Sequence, residues 1–159
     1  MQQTEGEKNV LQKELIQSQK ALLEISNQRI KIGLNEKDCL ESSLRQSEIY
    51  QLFHQAAHQA AHQEDKLKSI SEESWKQLQT IIDTTYHNFT EQLYALSPKL
   101  SEHDLRICYL IKIRIQTKDI TKILCRTLSA ISNSRVRLYK KIHGVDGTSD
   151  MFDKFILDL

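Results

Sequence analysis

The sequence predicts an all-α protein, with a long, coiled-coil-like helical stalk followed by a compact module of four short helices. Three observations predict this fold class. Turn-forming residues are scarce, with four Gly and a single proline, Pro98, among 159 residues. Gln, Glu, Lys, Leu and Ile, which suit helices better than sheets, are abundant. Apolar residues recur at intervals of three and four, the period of an amphipathic helix. We therefore place the helical stalk at 1–97 and the module at 98–159.

Residues 8–32 carry a weak heptad pattern. The two core positions of the heptad are occupied by Lys8, Leu15, Leu22 and Arg29, and by Leu11, Ser18, Ile25 and Ile32. Five of these eight residues are apolar, which indicates a coiled-coil seam and predicts a homodimer through the N-terminal helices. The alternative is one amphipathic helix lying on a neighbouring segment. We expect Gly33 to interrupt the helix.

Two further helices are predicted before Pro98. Residues 36–63 form the first, and the polar stretch 63–66 marks a break. Ser69 and Ser71 precede two acidic residues, as at a helix N-terminus. The stripe that follows predicts one continuous helix with one buried face, ended by Pro98. This stripe consists of Trp75, Leu78, Ile82, Tyr86, Phe89 and Leu93.

Three histidines, His54, His58 and His62, recur at i, i+4 and i+8 in a repeat of His, Gln and Ala. They would lie along one ridge of a helix, and an i, i+4 pair can chelate zinc or nickel. No acidic residue or cysteine is spaced to complete a metal site on the same helix. We therefore favour a polar ridge opposite an alanine seam, with a metal site or a pH switch as the alternatives.

Charge is distributed unevenly along the chain. Residues 1–97 carry ten Lys or Arg against fourteen Asp or Glu, whereas 98–159 carry twelve against seven. Within 106–141 ten bases stand against Asp119 alone. A basic block confined to one small module indicates a polyanionic partner. The alternative is a solvated basic surface.

Several classes of protein lack support in the sequence. There is no Gly-rich phosphate loop, no activated nucleophile and no paired-carboxylate motif, so we expect neither an enzyme nor a cofactor. Cys39, Cys108 and Cys125 show no zinc spacing, and we expect reduced thiols. Neither a signal peptide nor an apolar run near 18 residues occurs. These features predict a cytoplasmic protein.

The module begins with three helices joined by short turns. Ser101 and Asp104 form a variant of the capping box at the start of the first, which gives way at 114–116. Thr117 precedes a second helix over 118–124, and 125–126 form a tight turn. Thr127 caps a third helix over 128–142. Two short helices joined by a tight turn, the second rich in bases, indicate a helix-turn-helix.

The third helix divides into a packed side and an outward side at 100° per residue. The packed side consists of Ile131, Ser134, Arg135, Leu138 and Ile142, and the outward side of Ser129, Ser132, Asn133, Val136, Arg137 and Lys140. Small polar side chains near the start of this helix can bind the edges of nucleobases, and the basic residues further along can bind phosphates. We expect Arg135 to pair with Asp104 or Glu102, because an unpaired buried charge is costly.

The module resembles the LuxR-type (GerE-like) DNA-binding domain over roughly 100–159, with 149–159 as its fourth helix. The residues that carry this resemblance are Leu100-Ser101, Asp104, Ile107-Cys108, Leu110-Ile111, Lys118-Asp119-Ile120, Leu124, Thr127, Ile131, Leu138 and Lys141-Ile142. The run 130–141 is similar to the form found in Bacteroidetes regulators, in which a helical stalk, often after tetratricopeptide repeats and a membrane span, precedes the domain. The resemblance therefore implies either a short member of this group or a soluble fragment of a membrane-anchored regulator. Three positions depart from the family: Arg114 stands in place of Gly, Thr121 in place of Ala and Ser134 in place of His. The pattern also resembles region 4 of sigma factors.

The resemblance implies sequence-specific binding of double-stranded DNA and regulation of transcription, with helix 128–142 in the major groove. RNA polymerase is a further expected partner. The expected DNA-binding residues are Lys118, Thr127, Ser129, Ser132, Asn133, Val136, Arg137 and Lys140. The alternative is a coiled-coil adaptor whose helix-turn-helix core binds protein rather than DNA.

Overall fold

The computed structural model describes residues 4–60 and 70–159, and these form eight α-helices and no strand. The helices are α1 (Glu5–Gln46), α2 (Glu48–Ala60), α3 (Glu72–Thr85), α4 (Phe89–Leu96), α5 (Glu102–Lys112), α6 (Thr117–Ile123), α7 (Leu128–His143) and α8 (Ser149–Asp158). The predicted all-α fold class is confirmed. The predicted break at 63–66 and the start at Ser69 lie outside the described residues.

Helix α1 is a single uninterrupted helix, so the expected break at Gly33 is wrong. The chain breaks instead at Ser47. The Ser47 hydroxyl donates to the carbonyl of Leu44 (2.6 Å) and accepts from the amide of Tyr50 (3.2 Å), which closes α1 and opens α2. A single glycine costs a helix about 1 kcal/mol, whereas a side chain that serves both helix ends stabilises a break. The predicted helix 36–63 is therefore divided between α1 and α2.

The apolar stripe of the predicted third helix belongs to two helices rather than one. Its N-terminal cap is confirmed, because the Ser71 hydroxyl accepts from the amide of Ser74 (3.2 Å). The helix ends at Thr85, and His87 and Asn88 adopt left-handed backbone angles, φ 51° and 60°. Asn tolerates this conformation better than most residues. Pro98 follows the second of the two helices, as predicted, since α4 ends at Leu96.

Contacts across the break between α3 and α4 hold it in place. One carboxylate oxygen of Asp83 accepts from both the amide and the hydroxyl of Thr90, at 2.8 Å each. The Thr90 hydroxyl also lies 2.7 Å from the hydroxyl of Tyr109 on α5. Burial raises the pKa of Tyr109 to about 12, so the phenol is neutral at physiological pH. These contacts thus hold the break between α3 and α4 against α5.

The chain forms two compact units, 1–41 and 42–159. In the second unit one hydrophobic core joins α2, α3 and α4 to the later helices. Its fully buried side chains include Phe53, Phe89 and Phe152. The second unit begins well before residue 98, at which we placed the start of the DNA-binding domain. The division of the chain by function at that point stays a prediction.

No described helix is both long and apolar enough to cross a membrane. The three cysteines are free thiols: Cys108 is buried, and Cys39 and Cys125 are exposed. Burial raises the pKa of the Cys108 thiol, which keeps it protonated and unreactive.

Candidate nucleic-acid interface

The first helix of the module, α5, starts and ends as the sequence indicates. Ser101 and Asp104 form the reciprocal capping box: the Ser101 hydroxyl accepts from the Asp104 amide (3.1 Å), and the Asp104 carboxylate accepts from the Ser101 amide (3.3 Å). After α5, Arg114 adopts φ 63°. This left-handed angle explains why glycine suits the position in the family that the module resembles.

A tight turn joins α6 to α7. Gln116, rather than Thr117, is the N-cap of α6, one residue earlier than predicted. Cys125 in the turn adopts φ 52°. The Thr127 hydroxyl accepts from the amide of Ala130 (3.1 Å), so the predicted cap of α7 is confirmed. Helix α7 extends to His143, one residue beyond the prediction, and Gly144 closes it at φ 73°.

The two sides of α7 are divided largely as predicted. On the packed side Ile131, Arg135 and Leu138 are buried. The outward residues Ser129, Asn133, Val136, Arg137 and Lys140 are exposed, and Ser132 is half-buried. Thr127 and Lys118, at the starts of α7 and α6, are exposed as well. The predicted DNA-binding residues are therefore accessible, although Thr127 already uses its oxygen as a helix cap.

The expected partner of Arg135 is wrong. Arg135 is 4% exposed, and its guanidinium donates to the carboxylate of Asp153 on α8 (2.5 Å) and to the hydroxyl of Thr117 (3.0 Å). Neither Asp104 nor Glu102 is its partner. Burial raises the pKa of Asp153, and Arg135 partly opposes that shift. The pair ties α7 to α8 and to the start of α6.

Arg137 occupies the place that we expected for Arg135. Its guanidinium donates to Asp104 at 2.8 Å, and this carboxylate is 2% exposed. Asp104 therefore joins the capping box of α5 to the outward face of α7. An ion pair with a buried carboxylate orients the guanidinium and leaves its other N–H groups available to a phosphate. Arg137 thus has a structural contact besides its expected contact with DNA.

Lys140 is the less constrained of the two outward bases. Its ammonium lies 3.1 Å from the Asp146 carboxylate, and both side chains are mostly exposed. An exposed ion pair of this kind contributes about 0–1 kcal/mol and yields readily to a phosphate. Lys140 can therefore bind an anion without cost to the fold.

Three of the ten basic residues in 106–141 make contacts within the fold rather than forming part of an open basic surface. Arg106 donates to Glu72 and Glu102 and lies over the ring of Trp75. Lys112 is buried and donates to carbonyls at the end of α8. With Arg135 these residues stabilise the second unit. The exposed bases are Arg114, Lys118, Arg126, Arg137, Lys140 and Lys141, while Lys122 is half-buried.

The structure adds Arg114 to the basic residues near the start of α6. Arg114 and Lys118 line one cleft together with His54 and His58 of α2. We did not predict a role for Arg114. The available signal was its position just after α5, where the chain turns without a glycine. The cleft brings α2, which we assigned to the stalk, beside the expected phosphate contact of Lys118.

The first histidine of the ridge, His54, packs against the module. His54 Nε2 lies 2.8 Å from the carbonyl oxygen of Ile113, at the end of α5. His62 lies outside the described residues. Within the described part of the chain, no three His, Cys, Asp or Glu side chains are grouped so that they could hold a metal ion. His54 thus acts in helix packing.

Comparison of the chain with protein-family models, with curated proteins and with solved structures finds no match. The resemblance to LuxR-type domains therefore rests on the residues quoted above.

Proposed function

We propose that this protein binds double-stranded DNA sequence-specifically and regulates transcription, with α7 inserted in the major groove. The observation that carries the proposal is the two-sided surface of α7. One side is buried against the core, and the other exposes small polar residues near the N-terminus and bases further along. A helix of this kind, held by a tight turn after a shorter helix, suits the width of the major groove.

The outward residues divide between base contacts and backbone contacts in this proposal. Ser129, Ser132 and Asn133 lie in the first two turns, where a recognition helix meets base edges, and Val136 supplies an apolar contact. Arg137 and Lys140 lie one to two turns later and bind phosphates. Lys118 and the cap residue Thr127 contact the backbone at the helix starts, beside Arg114 in its cleft.

Dimerisation and contact with RNA polymerase belong to the same proposal. A homodimer through the N-terminal helices would let two copies of α7 bind two half-sites one helical turn apart. Regulation of transcription requires the bound protein to recruit or to block RNA polymerase. We expect this activity in the cytoplasm, where DNA and polymerase are present.

A mobility-shift titration with random duplex DNA at two salt concentrations tests the proposal. The test variant is Lys118→Glu with Lys140→Glu, and the matched control is Lys76→Glu with Lys154→Glu, two exposed lysines of α3 and α8. We expect the wild type and the control to bind, more weakly at high salt, because neutralised phosphates release counterions. The test variant should lose most of this binding. Absence of binding by the wild type at low salt, or equal binding by the test variant, would refute DNA binding through this surface.

A second candidate is an adaptor whose helical module binds protein. The observation in its favour is that Arg106, Lys112 and Arg135 stabilise the fold, so the basic block exposes fewer charges than the sequence indicates. The same titration separates the candidates, because an adaptor would not bind random duplex DNA with a salt-dependent affinity.

A further inference from the structure

Helix α1 exposes an unusually large amount of apolar surface. Ten large hydrophobic side chains between residues 10 and 34 are each 45–67% exposed: Val10, Leu11, Leu15, Ile16, Leu22, Leu23, Ile25, Ile30, Ile32 and Leu34. Five of the ten, Leu11, Leu15, Leu22, Ile25 and Ile32, lie at the heptad core positions. Monomeric proteins rarely expose large apolar patches, and such patches mark interaction sites. Most helices in water also depend on packing of an apolar face rather than on intrinsic propensity. Helix α1 therefore needs a partner.

Because α1 continues through Gly33, the heptad pattern does not end at residue 32. The second core position, occupied by Leu11, Ser18, Ile25 and Ile32, next falls on Cys39. Cys39 is exposed on the same helix. The uninterrupted helix thus provides a seam from Leu11 to Cys39 in a single register, one heptad longer than the pattern indicated when the helix was expected to break.

A second copy of the same helix fits this seam. Helix α1 carries seven bases and seven acids, so two copies meet without net repulsion. Charged residues occupy the first core position at Lys8, Arg29 and Glu36, and the residues just before them are Glu7, Gln28 and Asn35. In a parallel pair, the residue before a first core position lies beside that position in the partner helix. Each charged side chain at the first core position then lies beside a polar side chain of the partner helix with which it can pair.

We infer that α1 pairs with α1 of a second copy in a parallel, in-register, two-stranded coiled coil, with the two Cys39 thiols facing each other across the seam. This inference gives the proposed homodimer its orientation, register and number of strands. It rests on the surface of α1 and does not depend on DNA binding.

The number of strands follows from two opposing effects. Leu15 and Leu22 at the first position, with Ile at the second, favour bundles of more than two helices. Arg29 and Glu36 at the first position oppose such bundles, because a larger core would enclose both charges. In a two-stranded coil long side chains reach water along the edge of the seam. The free-energy cost of burying a charged side chain exceeds the free energy gained from the preferred packing of Leu and Ile, so two strands are favoured.

Oxidative cross-linking of the full chain tests orientation and register. Cys125 is first replaced by Ser, and buried Cys108 is kept. We expect a mild oxidant to convert most of this protein to a disulfide-linked dimer. Cys39→Ser should abolish that product, and Lys20→Cys in the Cys39→Ser background, on the outward side of the coil, should restore little. In an antiparallel pair that aligns Leu11 with Cys39 of the other copy, the two Cys39 residues would lie about 42 Å apart, given the 1.5 Å rise per residue. A non-covalent dimer without the Cys39 cross-link would therefore overturn the parallel register.

Sedimentation of two matched variants tests the seam. Ile25 lies on the seam and Leu23 lies off it, and both are exposed on α1. We expect Ile25→Asp to raise the dimer dissociation constant by roughly 100-fold or more, since it buries a charge at the seam, and Leu23→Asp to change it little. A monomeric wild type, a trimer or tetramer, or equal effects of the two variants would overturn the two-stranded coil. None of these measurements uses DNA, so failure of DNA binding is a separate result.

Discussion

Asn133 and Lys140 provide a matched pair of probes for the outward face of α7. Both side chains are exposed. Within the described residues the Asn133 side chain has no hydrogen-bond partner, and Lys140 has only its exposed ion pair with Asp146. Replacing either residue by Ala should therefore leave the free energy of unfolding within about 1 kcal/mol of the wild type. A change in DNA affinity can then be assigned to lost contacts with DNA. Arg137→Ala would be less clear, because it also leaves the buried Asp104 carboxylate without its partner.

The two substitutions should affect DNA binding in different ways. Lys140→Ala removes one phosphate contact, so it should weaken binding to all sequences alike. The slope of log affinity against log salt should flatten by about 0.9. Asn133→Ala removes a base contact, so it should cost about 1–3 kcal/mol on the preferred sequence, or about 5–150-fold in affinity. Its binding to random DNA should be nearly unchanged.

Fluorescence anisotropy provides the assay. The preferred sequence is obtained by repeated selection from a random duplex library, and each variant is titrated on this sequence and on a scrambled duplex at several salt concentrations. Lys154→Ala on α8 is the control for loss of one positive charge. The reasoning fails if Asn133→Ala weakens binding to both duplexes equally. It fails also if Lys140→Ala weakens binding to the selected sequence alone.

Three further predictions concern the fold around the site. Asp153→Ala should lower the free energy of unfolding by about 2–4 kcal/mol, because it leaves the buried Arg135 guanidinium without its carboxylate; an unchanged urea midpoint would contradict this. Arg114→Gly should raise the free energy of unfolding by about 0.5–1 kcal/mol, since glycine adopts the left-handed angle without strain. Arg114→Ala, the control in thermal denaturation, should not. Burial, and the nearby charge of Arg126, lower the pKa of His103. Its neutral form is therefore favoured in the folded state, and the stability that it contributes above its unfolded pKa, about 6.5, should fall as the pH drops below that value. His103→Gln should reduce this dependence in urea titrations between pH 7.5 and 5.5, and an unchanged dependence would exclude His103 as its source.

Breaks between helices show where local sequence signals are insufficient. Gly33 was expected to interrupt α1, yet the helix continues and ends at Ser47, whose hydroxyl closes one helix and opens the next. Likewise, the stripe from Trp75 to Leu93 has the spacing of one helix. In the structure this stripe is divided between α3 and α4, and the break is held by the hydrogen bonds from Thr90 to the Asp83 carboxylate. Helical spacing alone does not reveal such a contact.

The sequence by itself determined the helical class, the caps at Ser71, Ser101 and Thr127, and the two sides of α7. These features depend on groups within about one helical turn of each other, so the order of residues suffices to predict them. The tertiary structure alone decided the ion pairs: Arg135 binds Asp153, 18 residues away, and Arg137 binds Asp104, 33 residues away. Periodicity showed that Arg135 is buried but not which carboxylate it meets. That choice depends on distances between helices, which packing of the core sets.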